Sequence, residues 1–183
     1  MDRADTTRDS PDTTADRPVI LVLCTGNAAR SVMAGVMLES ENSSVRIVTA
    51  GTHVVEHQPT SRRTRDALVA VGLDASAHRS RQLTDSDLDA ADLVIAMAAE
   101  HVWYVRRRHP QAADRTATLS WLARHLRPGP GPLAPRVAAL ALADVDPAVQ
   151  GDVADPAGGE DVAYTDCAAH LTRLVAELAP RLR

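Results

Sequence analysis

The chain alternates short apolar runs with amphipathic stretches. Pro18-Val-Ile-Leu-Val-Leu23 is a continuous apolar run of strand length, the signature of a strand buried on both faces of a parallel sheet. Directly after it, CTGNAARS at 24–31 leads into Val32, Met33, Val36 and Met37 at helical spacing, which predicts strand, short loop, helix. Residues 45–49 predict a second strand, and 60–71 a helix stopped by Gly72. Thr84-Asp-Ser-Asp87 has the chemistry of a helix N-cap. Residues 92–97 form a third apolar run, 99–109 a helix ending at Pro110, and 116–119 a fourth strand. RPGPGPLAP at 127–135 breaks the pattern ahead of a short Ala/Leu helix and a polar loop at 144–160. The final helix, over 160–181, carries Leu171, Leu174, Val175 and Leu178 on one face. Strands alternating with helices predict an α/β domain with a parallel sheet over 18–183. Residues 1–17, rich in Asp, Thr and Arg without apolar periodicity, predict a disordered tail.

Composition narrows the function. A length of 183 residues suits one domain, and no apolar run is long enough to cross a bilayer. The opening has no apolar core of a secretory signal, and the two cysteines form no CxxC pair, so a cytoplasmic protein is expected. All 20 basic side chains are Arg, which excludes a Schiff-base Lys, a pyridoxal-phosphate anchor and a Walker A loop. Four aromatic rings and a pI near 5.9 speak against nucleic acid as a partner. The seven His residues make no ligand cluster, so neither a metal nor a cofactor is expected.

The candidate chemistry sits in the first loop. Cys24 and Arg30 bracket five residues, Thr25, Gly26, Asn27, Ala28 and Ala29, between the end of a buried strand and the start of a helix. Open α/β sheets bind ligands at the carboxyl ends of their strands, and a helix N-terminus offers unpaired N–H groups to an anion. Gly26 is free to take positive φ and so to turn consecutive amides toward one tetrahedral oxyanion. Arg30 adds a planar fork for two phosphate oxygens. The same field favours the thiolate of Cys24, a nucleophile placed for in-line attack on phosphorus. Ser31 is positioned to donate to that thiolate, and Asn27 to brace the loop. A Cys ending a buried strand is more commonly a small core residue. Its position at the one place in the topology where a nucleophile would work favours the chemical reading.

VILVLCTGNAARSVMAG resembles the opening of the low-molecular-weight protein tyrosine phosphatase family. The resemblance continues in TAGT at 49–52, Pro59, His78-Arg-Ser-Arg-Gln-Leu83, the 92–97 strand with His101, and Asp155-Pro156. It implies a three-layer α/β/α fold with a four-stranded parallel sheet of flavodoxin-like order. It also implies a phosphomonoester hydrolase working through a cysteinyl-phosphate on a phosphorylated protein or small phosphomonoester. A monomer or weak dimer is expected, without membrane insertion. Compared with compact members, the segment at 127–144 reads as a Pro/Gly-rich insertion, expected to pack near the rim of the cleft.

A leaving oxygen needs a proton, and Asp144, Asp146, Asp152, Asp155 and Asp161 are all candidate donors. Composition does not choose among them. The resemblance does, because the family's acid stands in an Asp-Pro shortly before Gly-Gly and the last helix, here Asp155-Pro156-Ala-Gly-Gly159, with Asp152 as the nearest decoy. In the same frame His78 and His101 are packing or hydrogen-bonding residues, His53 and His57 lie near the site mouth, and the run from Arg106 to His109 is a solvated helix face.

Several positions depart from the family pattern. Ala29 replaces a frequent second Cys, Val32 a Pro, and Ala28 the residue that marks phosphotyrosine or phosphoarginine preference. Val54, Val55 and Ala157 stand where aromatic walls are common, each wall worth roughly 0.5–1.5 kcal/mol beyond burial. The alternatives are therefore a phosphoarginine phosphatase, an arsenate reductase using an external thiol, and a weakly catalytic phosphate-binding module. Cys167, in the last helix, is the one further thiol.

Overall fold

The computed structural model describes residues 17–183; the rest of the expected tail lies outside the described residues. Strands Val19–Cys24 (β1), Arg46–Gly51 (β2), Leu93–Ala96 (β3) and Thr116–Thr118 (β4) form a parallel sheet in the order β2-β1-β3-β4. The helices are Arg30–Glu41 (α1), Arg62–Val69 (α2), Asp85–Ala90 (α3), Ala99–Arg108 (α4), Leu119–His125 (α5), Leu133–Ala138 (α6) and Asp161–Leu178 (α7).

Strand alternation explains the apolar run in β1. Ile20, Val22 and Cys24 join one cluster with residues of α1, α5 and α7, whereas Leu21 and Leu23 join a second with Leu88 of α3 and Val105 of α4. Both faces of the sheet are therefore covered, giving the three layers and the strand order expected. The chain leaves β1 for β2 on one side and takes up β3 on the other. The carboxyl ends of β1 and β3 are thus the switch point where open sheets place their ligands.

Local differences from the sequence reading have identifiable causes. The expected strand at 116–119 stops at Thr118, whose hydroxyl accepts from the Trp121 amide at 3.2 Å and so caps α5. That helix was not expected. Residues 144–160 are not uniformly a polar surface loop, because Gln150 and Val153 are buried. Gln150 accepts from the Thr118 amide and hydroxyl, which ties the returning chain to the end of β4.

The 127–144 segment does not reach the cleft rim. Leu133, Val137 and Leu142 are buried in the main core, and Arg136 of α6 donates to the carbonyls of Arg181 and Arg183. Those carbonyls lie beyond the C-terminal end of α7, whose opposite end faces the phosphate loop side. Of the run expected to be solvated, Arg107 and Arg108 are exposed, whereas Arg106 is half-buried. It donates to the carbonyls of Leu142 and Val145, 2.6 Å each, and pins this segment to α4. His109 pairs with Asp85 at 2.7 Å.

Candidate active site

The loop between β1 and α1 is held from outside by its carbonyls. Cys24 and Thr25 accept from the amides of Thr52 and His53, at 3.0 and 2.9 Å. Asn27 accepts from His78 Nε2 at 2.9 Å, and Ala28 from the Thr64 hydroxyl of α2 at 3.1 Å. With the carbonyls engaged this way, the amides of Gly26, Asn27, Ala28 and Ala29 have no acceptor among the described residues. No side chain caps the start of α1 either. The result is the concave set of donors that binds a tetrahedral anion.

The left-handed residue of this loop is Asn27, with φ of 50°, and not Gly26 as the sequence suggested. Asn tolerates that region when its side chain is locally bonded. Here the buried amide donates to Ser31 and Thr49, 3.0 Å each, and its oxygen accepts from the Arg81 amide at 3.0 Å. The fixed side chain thus stands in for glycine's freedom. Gly51 is the residue the packing requires. A Cβ there would lie 2.5 Å from the Thr25 carbonyl oxygen and 2.9 Å from the Asn27 nitrogen. This gives the TAGT segment its role: β2 supports the loop from directly beneath.

Cys24 is buried, with Sγ 3.0 Å from Ser31 Oγ. Because Asn27 already donates to Ser31, the serine hydroxyl hydrogen is free to point at sulfur. Arg30 is only 4% exposed. Its guanidinium donates to the Val153 carbonyl at 3.3 Å, to the Thr25 hydroxyl at 3.4 Å and to Asp155 Oδ2 at 2.5 Å. Asp155, its side chain 44% exposed, meets Arg30 across 125 residues of sequence. Cys24, Thr25, Gly26, Ala28, Ala29, Arg30, Asp155 and Ala157 line one cavity of about 260 Å³.

The other carboxylates lie elsewhere. Asp152 accepts from the Ala99 amide at 2.8 Å and caps α4. Asp146 caps a short 3-10 turn through the Ala148 amide, and Asp161 pairs with Arg62 and Arg63. Asp144 makes no ion pair among the described residues. The cavity has no aromatic wall: Ala157 lines it, and Val55 is 74% exposed. A neighbouring cleft of about 140 Å³ shares Thr25 and adds His53, Glu100, Tyr104 and Arg107. His57 is fully at the surface. Sequence reasoning did not single out Glu100, Tyr104, Thr64 or Val153, because their proximity to the loop comes from other elements of the fold.

His101, on α4, is 1% exposed, with Nε2 3.0 Å from the Thr25 hydroxyl and Nδ1 unpartnered among the described residues. Burial, reinforced by the Arg30 guanidinium, pushes it down to about 4. Burial also lowers His78. Between the ordinary histidine value and about 4, the unfolded chain takes up a proton that folded His101 refuses. The stability due to neutral His101 is therefore complete above the ordinary value, near pH 6.5, and is lost as pH falls toward 4. In urea unfolding at about pH 7 and about pH 4.5, the wild type should lose roughly 2 kcal/mol through this residue. His101→Gln, which keeps an Nε donor for Thr25, is expected to show a smaller loss; an unchanged loss would exclude His101 as its source.

Comparison with known proteins agrees with this geometry. A family model described as low molecular weight phosphotyrosine protein phosphatase matches residues 19–128. A protein-arginine-phosphatase of Geobacillus stearothermophilus is 32% identical over 165 residues, covering 90% of this chain and 95% of that protein. A probable low molecular weight protein-tyrosine-phosphatase, EpsP, of Ralstonia solanacearum is 27% identical over 90% of this chain and 95% of its own length. Among solved structures, the YwlE arginine phosphatase from Geobacillus stearothermophilus superposes with a TM-score of 0.74 at 31% identity, over 90% of this chain and 92% of that one. The chain belongs to the low molecular weight phosphotyrosine protein phosphatase family.

Proposed function

We propose that this protein hydrolyses phosphorylated protein side chains in two steps through Cys24. The reading rests on the convergence of Cys24, Arg30 and Asp155 on one cavity, with the acid 2.5 Å from the buried guanidinium. In the first step Cys24 Sγ attacks phosphorus, the bond to the leaving atom breaks, and Asp155 supplies the proton that atom needs. An arriving phosphoryl group competes with Asp155 for Arg30, which frees the carboxyl to face the leaving atom. In the second step water attacks the cysteinyl-phosphate, Asp155 takes the water's proton, and Ser31 donates to the departing sulfur. The loop amides and Arg30 hold the equatorial oxygens in both steps.

Phosphotyrosine is the substrate in the family's name. Phosphoarginine is a second reading, favoured by one observation: the cavity is walled by Ala28, Ala29 and Ala157, with no ring against which an aryl group would stack. An arsenate reductase is less well supported. The one other thiol among the described residues, Cys167, is buried and pushed up to about 11, which leaves it a poor thiolate relay.

Phosphate release from an aryl phosphate, a phosphotyrosine peptide and a phosphoarginine peptide, with arsenate plus thiol in parallel, tests these readings together. Release from at least one phosphorylated peptide is expected. Arsenate reduction without phosphate release would replace the phosphatase reading, and phosphate binding without turnover would leave a binding module.

A further inference from the structure

Helix α2 bridges two loops that the mechanism needs in register. Thr64 donates from this helix to the Ala28 carbonyl of the phosphate loop. Its neighbour Arg63 reaches in another direction and spends its guanidinium on three acceptors. Nη1 donates to the Gly159 carbonyl at 2.8 Å, Nε to Asp161 Oδ1 at 2.7 Å, and Nη2 to Glu160 Oε2 at 3.0 Å. The hydrogen bond from Arg63 is also the leading reason that the Asp161 carboxyl is held below its usual range.

These acceptors form the far end of the segment that carries Asp155. Its near end is anchored separately, by the Val153 amide on the Met97 carbonyl at 2.8 Å and by Arg30 on the Val153 carbonyl. Only residues 154–158 span the two anchors. That short span contains Asp155 and Gly158, whose φ of 81° sets the turn into Gly159. The Gly159 amide closes the turn on the Pro156 carbonyl at 3.0 Å.

We propose that Arg63 is a positioning residue for Asp155: by clamping Gly159, Glu160 and Asp161 to the helix that also holds Ala28, it sets the distance from the acid to the leaving atom. This inference rests on the proposed role of Asp155. Arg63 does not line the cavity, so its effect should appear only where proton donation matters. The ion pairs of Arg63 lie at the surface, where each contributes little to stability, and Arg62 still pairs with Asp161 when Arg63 is removed, so the variant should stay folded while Gly159 and Glu160 lose their partner.

The test is kcat/KM for wild type, Arg63→Ala, Arg63→Lys, Asp155→Ala and the double variant Arg63→Ala/Asp155→Ala on aryl phosphates whose leaving phenols run from strongly to weakly acidic. Confining the measurement to kcat/KM reports the step in which the phenol departs. For Arg63→Ala we expect a change of less than about twofold with a dinitrophenol leaving group and a loss on the order of tenfold with phenol. Arg63→Lys should recover part of the loss, because an ammonium reaches some of the same acceptors. Asp155→Ala should show the same dependence more steeply, and Arg63→Ala should add little on top of it. An equal loss for every leaving group in Arg63→Ala, with Asp155→Ala steep, would overturn the positioning role alone. A flat response in Asp155→Ala would remove the acid assignment and this inference with it.

Discussion

Cys24→Ser is expected to abolish phosphate release, lowering kcat by roughly 10⁴-fold or more while phosphate binding persists. The substitution keeps a small side chain at a buried position and leaves every loop carbonyl with its partner. What it removes is the nucleophile. A serine hydroxyl attacks phosphorus only with a base to take its proton, and among the described residues the one polar side chain bonded to Cys24 is Ser31, itself a hydroxyl. No histidine is in hydrogen-bond contact with Cys24 among the described residues; His78 and His101 are spent on the Asn27 carbonyl and the Thr25 hydroxyl. The groups proposed to bind phosphate, the amides of Gly26 to Ala29 and the Arg30 guanidinium, are left unchanged. Single-turnover phosphate release, paired with thermal shift in inorganic phosphate, separates the two functions. Retention of more than about one hundredth of the wild-type rate would mean that chemistry does not proceed through the sulfur.

The second large effect is expected at Arg30. Arg30→Lys should lower kcat/KM by roughly a thousandfold, in line with the loss of a preorganised charged donor at a transferring phosphoryl group. Lysine is the informative replacement because it preserves the charge. Alanine would strip the buried partner from Asp155 and leave the Val153 carbonyl unbonded, mixing a folding defect into the result. With lysine, what disappears is geometry: one guanidinium reaches the Val153 carbonyl, the Thr25 hydroxyl and Asp155 from two nitrogens, whereas an ammonium is a point charge. The loss should appear in kcat more than in the affinity for inorganic phosphate, because the fork matches charge that develops in the transition state. Steady-state kinetics with phosphate competition would show the split. A loss confined to KM would make Arg30 a ground-state binder only.

The clamp at Arg63 and the buffering of His101 by burial belong to the same design. The loops around this cavity are held by residues from several elements. Thr64 and Arg63 come from α2, His101 from α4, and Val153 from the returning chain before α7. Spreading the supports over the fold fixes the loops without placing more charge in the cavity itself.

Much of this was legible in the chain. The apolar run of β1 could only be a strand covered on both faces, since no polar side chain interrupts it and a helix needs greater length. CTGNAARS followed that strand directly, so the position of Cys24 and Arg30 at a sheet's carboxyl edge came from local order alone. Other features were not local. Trp121 and Leu122 read as neither strand nor helix until Thr118, ending β4, was seen to cap α5. Asn27 took the left-handed turn expected of Gly26, because its side chain found partners on β2, on α1 and in the 78–83 segment. The 127–144 segment packed away from the phosphate loop because its buried residues, Leu133, Val137 and Leu142, join the main core and Arg136 reaches the chain beyond α7.

The acid shows most clearly where the sequence stops. Five aspartates near 144–161 offered the same chemistry, and only family resemblance separated them. In the fold Asp152 is committed to the start of α4, Asp161 to Arg62 and Arg63, and Asp146 to its own turn, while Asp155 faces the guanidinium of Arg30. The sequence by itself determined the sheet, the loop and the placement of Cys24 and Arg30 at its two ends, because these depend on neighbours a few positions apart. Which carboxylate meets Arg30, and which side chains hold the start of α7, depended on contacts between residues some hundred positions apart, and those exist only once α2, α4 and α7 have packed around the sheet.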